Sequence, residues 1–416
     1  MWISCSLSWY KLFASEKHGV VIVFVLCVML RTVPELAAYP HPIGYDVINY
    51  YIPVVENLEE EWPTVANQFP LYVLFLDLVQ LATGIGAHSV VTGVAIAMFG
   101  AFGASLYFLG RSLLRLGVIE SVFLAIFAVF TMAVLRTAWD LHRDIFALTT
   151  MMCVFALLSK NKGLRETILV LALAGITVAA DRMIGALLCI SLIMYAVITR
   201  RKDSSVVSAF ATGVFVILFL VSYSSLTSTN VSGNNVGAPP DETVSFYNAQ
   251  NLLILFAVAN GLLVAPAVIG FLRTNDWLLK VPLLVSLAGA FSWLVFPTAI
   301  QLVADRWTIV AGIFLAIFAG YGILYIIRDL RRRVAVMASC SILLVFAAIG
   351  MAYAVMPYDS PFVLYGIARQ SIENFSPVTM QFNSVDIREN DEILSSIKWI
   401  NQNTEHDAVI VGEKHW

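Results

Sequence analysis

Four short segments of this sequence concentrate the residue types that bind anions or move protons. One is Arg136-Thr-Ala-Trp139-Asp140-Leu-His142-Arg143-Asp144, two are the pairs Asp181-Arg182 and Asp305-Arg306, and the fourth is Asp46, which follows Pro40-His41-Pro42-Ile43-Gly44-Tyr45. A guanidinium binds phosphate oxygens bidentately and stays charged at any physiological pH, so Arg143, Arg182 and Arg306 are candidate phosphate ligands, and an anionic lipid headgroup would satisfy them. A carboxylate held on a stiff Pro/Gly turn is a candidate proton acceptor, which is the chemistry open to Asp46. Asp46, Asp140, His142 and Asp144 also form a donor set suited to a divalent cation such as Mg or Mn. Each feature has a plainer reading. Asp46 can simply cap the helix that follows, and the acid–arginine pairs can be local ion pairs with side chains reaching out of helix mouths.

The elements that must position these groups are membrane helices. The chain has 416 residues, 59% hydrophobic and only 13% charged, against about 45–50% and about 25% in soluble domains. A mean hydropathy of +0.83 spreads the excess along the chain. A spanning helix needs about 20 mostly apolar residues. Runs near that length lie at 19–36, 88–110, 118–136, 145–159, 166–180, 183–199, 205–226, 249–272, 278–297, 307–327 and 334–356. The prediction is an all-α polytopic protein of about eleven transmembrane helices, with juxtamembrane helices in a first outer loop at 37–68. The first run lacks a small-residue cleavage site and is kept as a span.

Basic clusters at Lys160/Lys162/Arg165, Arg200/Arg201/Lys202 and Arg328/Arg331/Arg332/Arg333 fall at every second loop, which places those loops in the cytoplasm. Counted from both directions, segment 69–84 is one crossing too many. It is at the lower length limit and carries Asp77 and Gln80, so it is expected to lie at or partly in the membrane surface. Putting Arg111 and Arg115 outside instead would break the positive-inside rule. The N-terminus is then cytoplasmic, and the four chemistry-bearing segments all face outward from a plasma membrane. Tyr50, Tyr51, Val54, Val55 and Leu58 make an apolar stripe for an interfacial helix.

Residues 1–356 form the membrane domain and 357–416 an outer segment. In the latter, 386–400 reads as an amphipathic helix and Ala408-Val-Ile-Val-Gly as a strand, the start of a small α/β unit or a cap on the bundle. The five cysteines show no ligand-like spacing. No Walker motif, nucleotide fingerprint, Ser-centred elbow or HExxH occurs, so ATP is not the expected energy source. A net charge of -3 gives no reason to expect nucleic acid.

One span, an outer loop carrying Gly44-Tyr45-Asp46, a Phe69-Pro70-Leu71-Tyr72 helix, and a span pair separated by an acid-bearing outer turn together resemble the GT-C superfamily of integral-membrane glycosyltransferases. That superfamily includes oligosaccharyltransferase catalytic subunits and protein O-mannosyltransferases. The resemblance extends to Trp399-Ile-Asn-Gln-Asn-Thr404 and the strand after it. It implies transfer of a sugar from a polyprenyl-phosphate or polyprenyl-diphosphate donor to a protein, glycan or lipid acceptor at the outer face. By position it implies Asp46 as catalytic acid/base and Asp140, or else Asp144, as the assisting or metal-binding acid. The Trp-Trp-Asp acceptor motif of oligosaccharyltransferases does not occur within these 416 residues, which puts asparagine sequons in doubt as the acceptor.

The residues fit that chemistry independently. Glycosyl transfer must deprotonate an acceptor hydroxyl and neutralise a departing phosphate, work for Asp46 with Arg143, Arg182 and Arg306. Tyr45, Tyr50 and His142 are candidate contacts to donor or acceptor. The competing expectation is a transporter or flippase of a lipid-linked or anionic solute, which would carry ionisable residues at mid-membrane and repeated halves. Neither is evident here.

Overall fold

The computed structural model describes residues 16–39, 44, 46–66, 69–159, 163–226, 242–295 and 304–355, with 395–396, 399–400 and 402–404. Every regular element among them is a helix. These are α1 (Glu16–Ala38), a π-helical turn (Val47–Tyr51), α2 (Ile52–Glu56), α3 (Leu58–Ala66), α4 (Leu71–Thr83), α5 (Ala87–Ser112), α6 (Val118–Val129) and α7 (Met132–Asp140). There follow α8 (His142–Leu158), α9 (Leu164–Ala180), α10 (Arg182–Thr199), α11 (Lys202–Leu226) and α12 (Glu242–Arg273). The last are α13 (Trp277–Ala290), a 3-10 turn (Ser292–Leu294), α14 (Ala304–Arg328) and α15 (Arg332–Val355). The strand expected at 408–412, and most of the amphipathic helix before it, lie outside the described residues.

Each predicted apolar run falls on a helix or a bent helix pair, but they differ in reach. Seven helices among the described residues are long and apolar enough to cross a membrane: α1, α5, α10, α11, α12, α14 and α15. The run 118–136, expected as one span, breaks into α6 and α7, bent by 67°. The cause is local. The Thr131 hydroxyl takes the Ala128 carbonyl at 2.7 Å, and Thr131 itself is extended, so a new helix starts there. Counting that pair as one span makes eight. α8 and α9, at 17 residues each, are about 25 Å long by helical rise, against a bilayer core of about 30 Å. α13 has only 14 residues.

Short polar devices set the helix ends. The Asp181 carboxylate accepts from the Met183 and Ile184 N–H groups at 2.8 and 2.9 Å and starts α10. Asp276 does the same for α13 through Leu278 N–H, and Glu120 reaches back to the Gly117 N–H at 2.8 Å to start α6. Gly84, at φ 68°, ends α4 in the left-handed conformation that glycine adopts without strain.

Ion pairs define one end of the bundle. Arg111 pairs with Glu16 at the start of α1, Arg328 binds both oxygens of Glu120 at 3.0 Å, and Arg115 and Arg201 both act on Asp276. Arg111, Arg115, Arg201 and Arg328 therefore share an end. Between Glu16 and Arg111 the chain traverses the bundle twice, along α1 and α5, so α4 is not a crossing. Its 13 residues pack Tyr72, Val73 and Leu76 against Val90 and Val91 of α5 at the opposite end.

The apolar stripe of the first loop also differs from its expected lipid-facing role. Val47, Tyr51, Val54 and Val55 are buried against α4 and α5 inside the protein, because α4 offers them an apolar protein surface. α14 is the central post, largely buried, and packs on α6, α7, α12 and α13, whereas α15 is nearly bare to the surroundings. α12 and α14 meet closely through Gly270 and Gly322, whose absent side chains would collide with the Phe318 and Pro266 carbonyl oxygens.

Gly322→Leu should accordingly destabilise the protein by on the order of 3 kcal/mol through overpacking. Gly213→Leu, where a Cβ meets nothing within 4 Å, should not. Thermal unfolding of the two variants in detergent measures the difference, and equal melting temperatures would refute the close packing.

Candidate functional site

The end opposite the Glu120–Arg328 pair gathers the ionisable groups. Among the described residues the buried ionisable side chains outside the aromatic and thiol groups are Arg31, Arg136, His142, Asp144 and Asp181, and all five lie there. Two short connections bring this about. Leu141 alone separates α7 from α8, so the chain turns back within one residue and His142, Arg143 and Asp144 form the first turn of α8. They precede the apolar run that begins at Ile145. Asp181 alone separates α9 from α10.

Asp144 and Asp181 face one another through their carboxyl groups, 3% and 6% exposed. Asp181 is pinned by its two backbone N–H bonds. Burial, and then the adjoining Asp181 carboxyl, hold Asp144 well above the usual carboxylate range. Arg306, in the first turn of α14, is within electrostatic reach of Asp144, Asp46 and Asp181. Arg143 is acted on by Tyr51, Asp181, Tyr50 and Asp144, and its guanidinium stands 5.5 Å above the Tyr50 ring. Three segments far apart in sequence thus present arginines and carboxylates to one another.

Asp46 enters this group from the first loop. Its backbone is helical and its side chain makes no capping bond to the turn that follows, so the plain N-cap reading does not describe it. It acts on Arg306, Tyr50 and Tyr51. The π-helical turn after it inserts one extra residue per turn, which rotates Tyr50 and Tyr51 toward α8, a device frequent at functional sites. Burial pushes both phenols up.

Beside the acid–arginine group lies an aromatic and polar cluster. The His142 ring stacks on Tyr51 at 5.5 Å and 4°, and Tyr72 meets Tyr51 edge-on at 5.4 Å and His142 at 6.5 Å. Burial, then the nearby Arg31 charge, push the imidazole down to about 3. The Trp139 carbonyl faces the ring without a well-formed hydrogen bond, and neither ring nitrogen has a partner. Arg31 donates its Nε–H to the Ala138 carbonyl at 3.1 Å and pairs with Glu35 at 2.6 Å.

The sequence-predicted residues distribute as follows. Asp46, Arg143, Asp144, Arg306, Tyr50 and His142 come together. Arg182 does not join them: it is exposed and lies over the Phe69 ring at 5.3 Å, because the cap at Asp181 turns the next residue outward. Asp140 is the last residue of α7, and its side chain, like Tyr45, lies outside what is described. Among the described residues no three carboxylate, imidazole or thiol groups converge as a metal site. The expected set of Asp46, Asp140 and Asp144 includes Asp140, whose side chain lies outside the described residues.

Arg31, Tyr72 and Asp181 are members that sequence reasoning did not assign. Arg31 carried a signal, since a charge within an apolar run is expensive unless it has work or a partner. Tyr72 carried none. Compared with known proteins, the sequence matches no family model and no curated protein.

Asp181→Ala should remove the cap of α10 and cost about 1–2 kcal/mol of stability, whereas Asp181→Asn, which still accepts both N–H bonds, should cost much less. Thermal melts of the pair test this, and indifference to Asp181→Ala would remove its structural role.

Proposed function

We propose that this protein is a multi-pass membrane glycosyltransferase of the GT-C type, moving a sugar from a polyprenyl-phosphate or polyprenyl-diphosphate donor to an acceptor hydroxyl. The observation that carries this reading is the convergence of Asp46 with Arg143 and Arg306, from three separate segments, at one end of an apolar bundle. A carboxylate beside two guanidiniums is what the reaction requires.

In this reading Asp46 accepts the proton of the acceptor hydroxyl as that oxygen attacks the anomeric carbon. The bond from that carbon to the phosphate oxygen breaks, and the charge left on the phosphate is neutralised by Arg143 and Arg306. Asp140 is the assisting acid by resemblance. The end that carries Arg111, Arg201 and Arg328 is the cytoplasmic one and the site faces outward, across a plasma membrane. The full complement of eleven spans would include α8, α9 and α13, short helices that a packed protein neighbour or a locally thinned bilayer can accommodate. Residues beyond 357 form an outer segment.

Among the described residues, the gathering of buried charge toward one end supports catalysis over carriage, since a carrier moving an anion through the bundle needs ionisable groups near its middle. Asp46→Asn, assayed in lipid with radiolabelled polyprenyl-phosphate sugars, should lose transfer by at least about a hundredfold, the usual scale of general base catalysis, while still binding donor. Arg306→Gln should weaken donor binding by about tenfold or more, as loss of a charge-assisted contact does. Full activity in Asp46→Asn would exclude the assignment.

A further inference from the structure

Three buried polar side chains next to the acid–arginine group have hydrogen-bonding atoms without a well-formed hydrogen bond. They are Nη1 of Arg31, the hydroxyl of Tyr72 and both ring nitrogens of His142. They come from α1, α4 and α8. Their side chains are 3%, 0% and 3% exposed. Arg31 lies within electrostatic reach of both Tyr72 and His142, and the two rings are in edge contact at 6.5 Å. A buried polar group left unpaired costs about 1–3 kcal/mol, and native proteins rarely leave several such groups side by side without something that fills them.

The donor and acceptor inventory says what fills them. The charge of Arg31 is already met by Glu35 at 2.6 Å, so the cluster has little attraction left for a further anion. A neutral imidazole offers one N–H donor and one lone pair, a tyrosine hydroxyl both donates and accepts, and Nη1 donates. A phosphate, which only accepts, would leave the imidazole lone pair unmet. A hydroxyl both donates and accepts and satisfies the whole set. His142 also immediately precedes Arg143, a proposed phosphate ligand, and in the donor the group bonded directly to the phosphate is the sugar.

We infer that Arg31, Tyr72 and His142 form the subsite that binds hydroxyl groups of the transferred sugar, beside the phosphate site of Arg143 and Arg306. This rests on the glycosyltransferase reading. Tyr51, carried by the first loop with Asp46, stacks on the face of the His142 ring and leaves its in-plane nitrogens to the sugar. The subsite and the proton acceptor are therefore coupled through one short loop.

The test uses the full-length protein in nanodiscs and the variants Tyr72→Phe and His142→Phe, which keep the ring packing. Probes are geranylgeranyl phosphate and its mannosyl, glucosyl and galactosyl phosphodiesters. In the wild type one of the sugar-bearing probes should bind more tightly than the bare phosphate. Tyr72→Phe should weaken that probe by about fivefold or more, as loss of one hydrogen bond does, while leaving the bare phosphate unchanged. His142→Phe should do the same. Because the Tyr72 hydroxyl has no partner in the free protein, Tyr72→Phe should not lower the melting temperature, and a lowered one overturns the inference. Equal loss for bare and sugar-bearing probes would place these residues at the phosphate instead, and an unchanged donor with a raised KM for acceptor would place them at the acceptor. Either result overturns the assignment to the sugar while leaving the glycosyltransferase standing. If the wild type binds no polyprenyl phosphate at all, the proposed function itself fails.

Discussion

An ionised side chain inside a low-dielectric helix bundle is unfavourable by several kcal/mol unless a counter-charge, a hydrogen-bond partner or a ligand meets it. The arrangement of this protein follows from that constraint. At one end, charges are satisfied by direct pairing, Glu16 with Arg111 and Glu120 with Arg328. These pairs tie α1 to α5 and α6 to α14. At the other end the charges converge in one cluster. Asp144 and Asp181 face each other, Arg143 and Arg306 stand against both, and Asp46 joins from the first loop.

The scaffold around this end is built to hold it still. α14 carries Arg306 at its first turn and then runs through the centre of the bundle, fixed against α12 by the Gly270 and Gly322 approach. The bend at Thr131 has a comparable effect. By breaking the run 118–136 it tips α7 away from α6, so that Ala138 reaches the Arg31 guanidinium and the one-residue connector at Leu141 delivers His142 to Tyr51. A straight helix through 118–136 would have carried those groups elsewhere.

Against the GT-C resemblance, the first loop is the most informative element. Its stripe of Val47, Tyr51, Val54 and Val55 is tied to α4 and α5, so Asp46 is carried by a packed segment instead of an interfacial helix free to float. A carboxylate on a packed element is held in a fixed geometry. The same packing sets Tyr51 over His142.

The sequence alone determined the helical, membrane-type character, since hydropathy is a local sum over consecutive residues and the apolar runs formed helices, with a break in 118–136 and a shorter helix in 278–297. It also determined which turns share an end, because the alternation of basic clusters is a counting property of the chain. In the structure Arg111 pairs with Glu16 at the start of α1, and Arg328 with Glu120 at the start of α6. Tertiary structure decided what counting could not reach. Arg182 and Arg306 look alike in sequence, each beside an aspartate at a helix mouth, yet the cap at Asp181 leaves Arg182 on Phe69 while α14 aims Arg306 at Asp144. Tyr72 is one apolar-run tyrosine among many until α4 folds back along α5. Side-chain direction depends on helix phase and on which neighbour lies opposite, and neither is encoded in residue type or spacing.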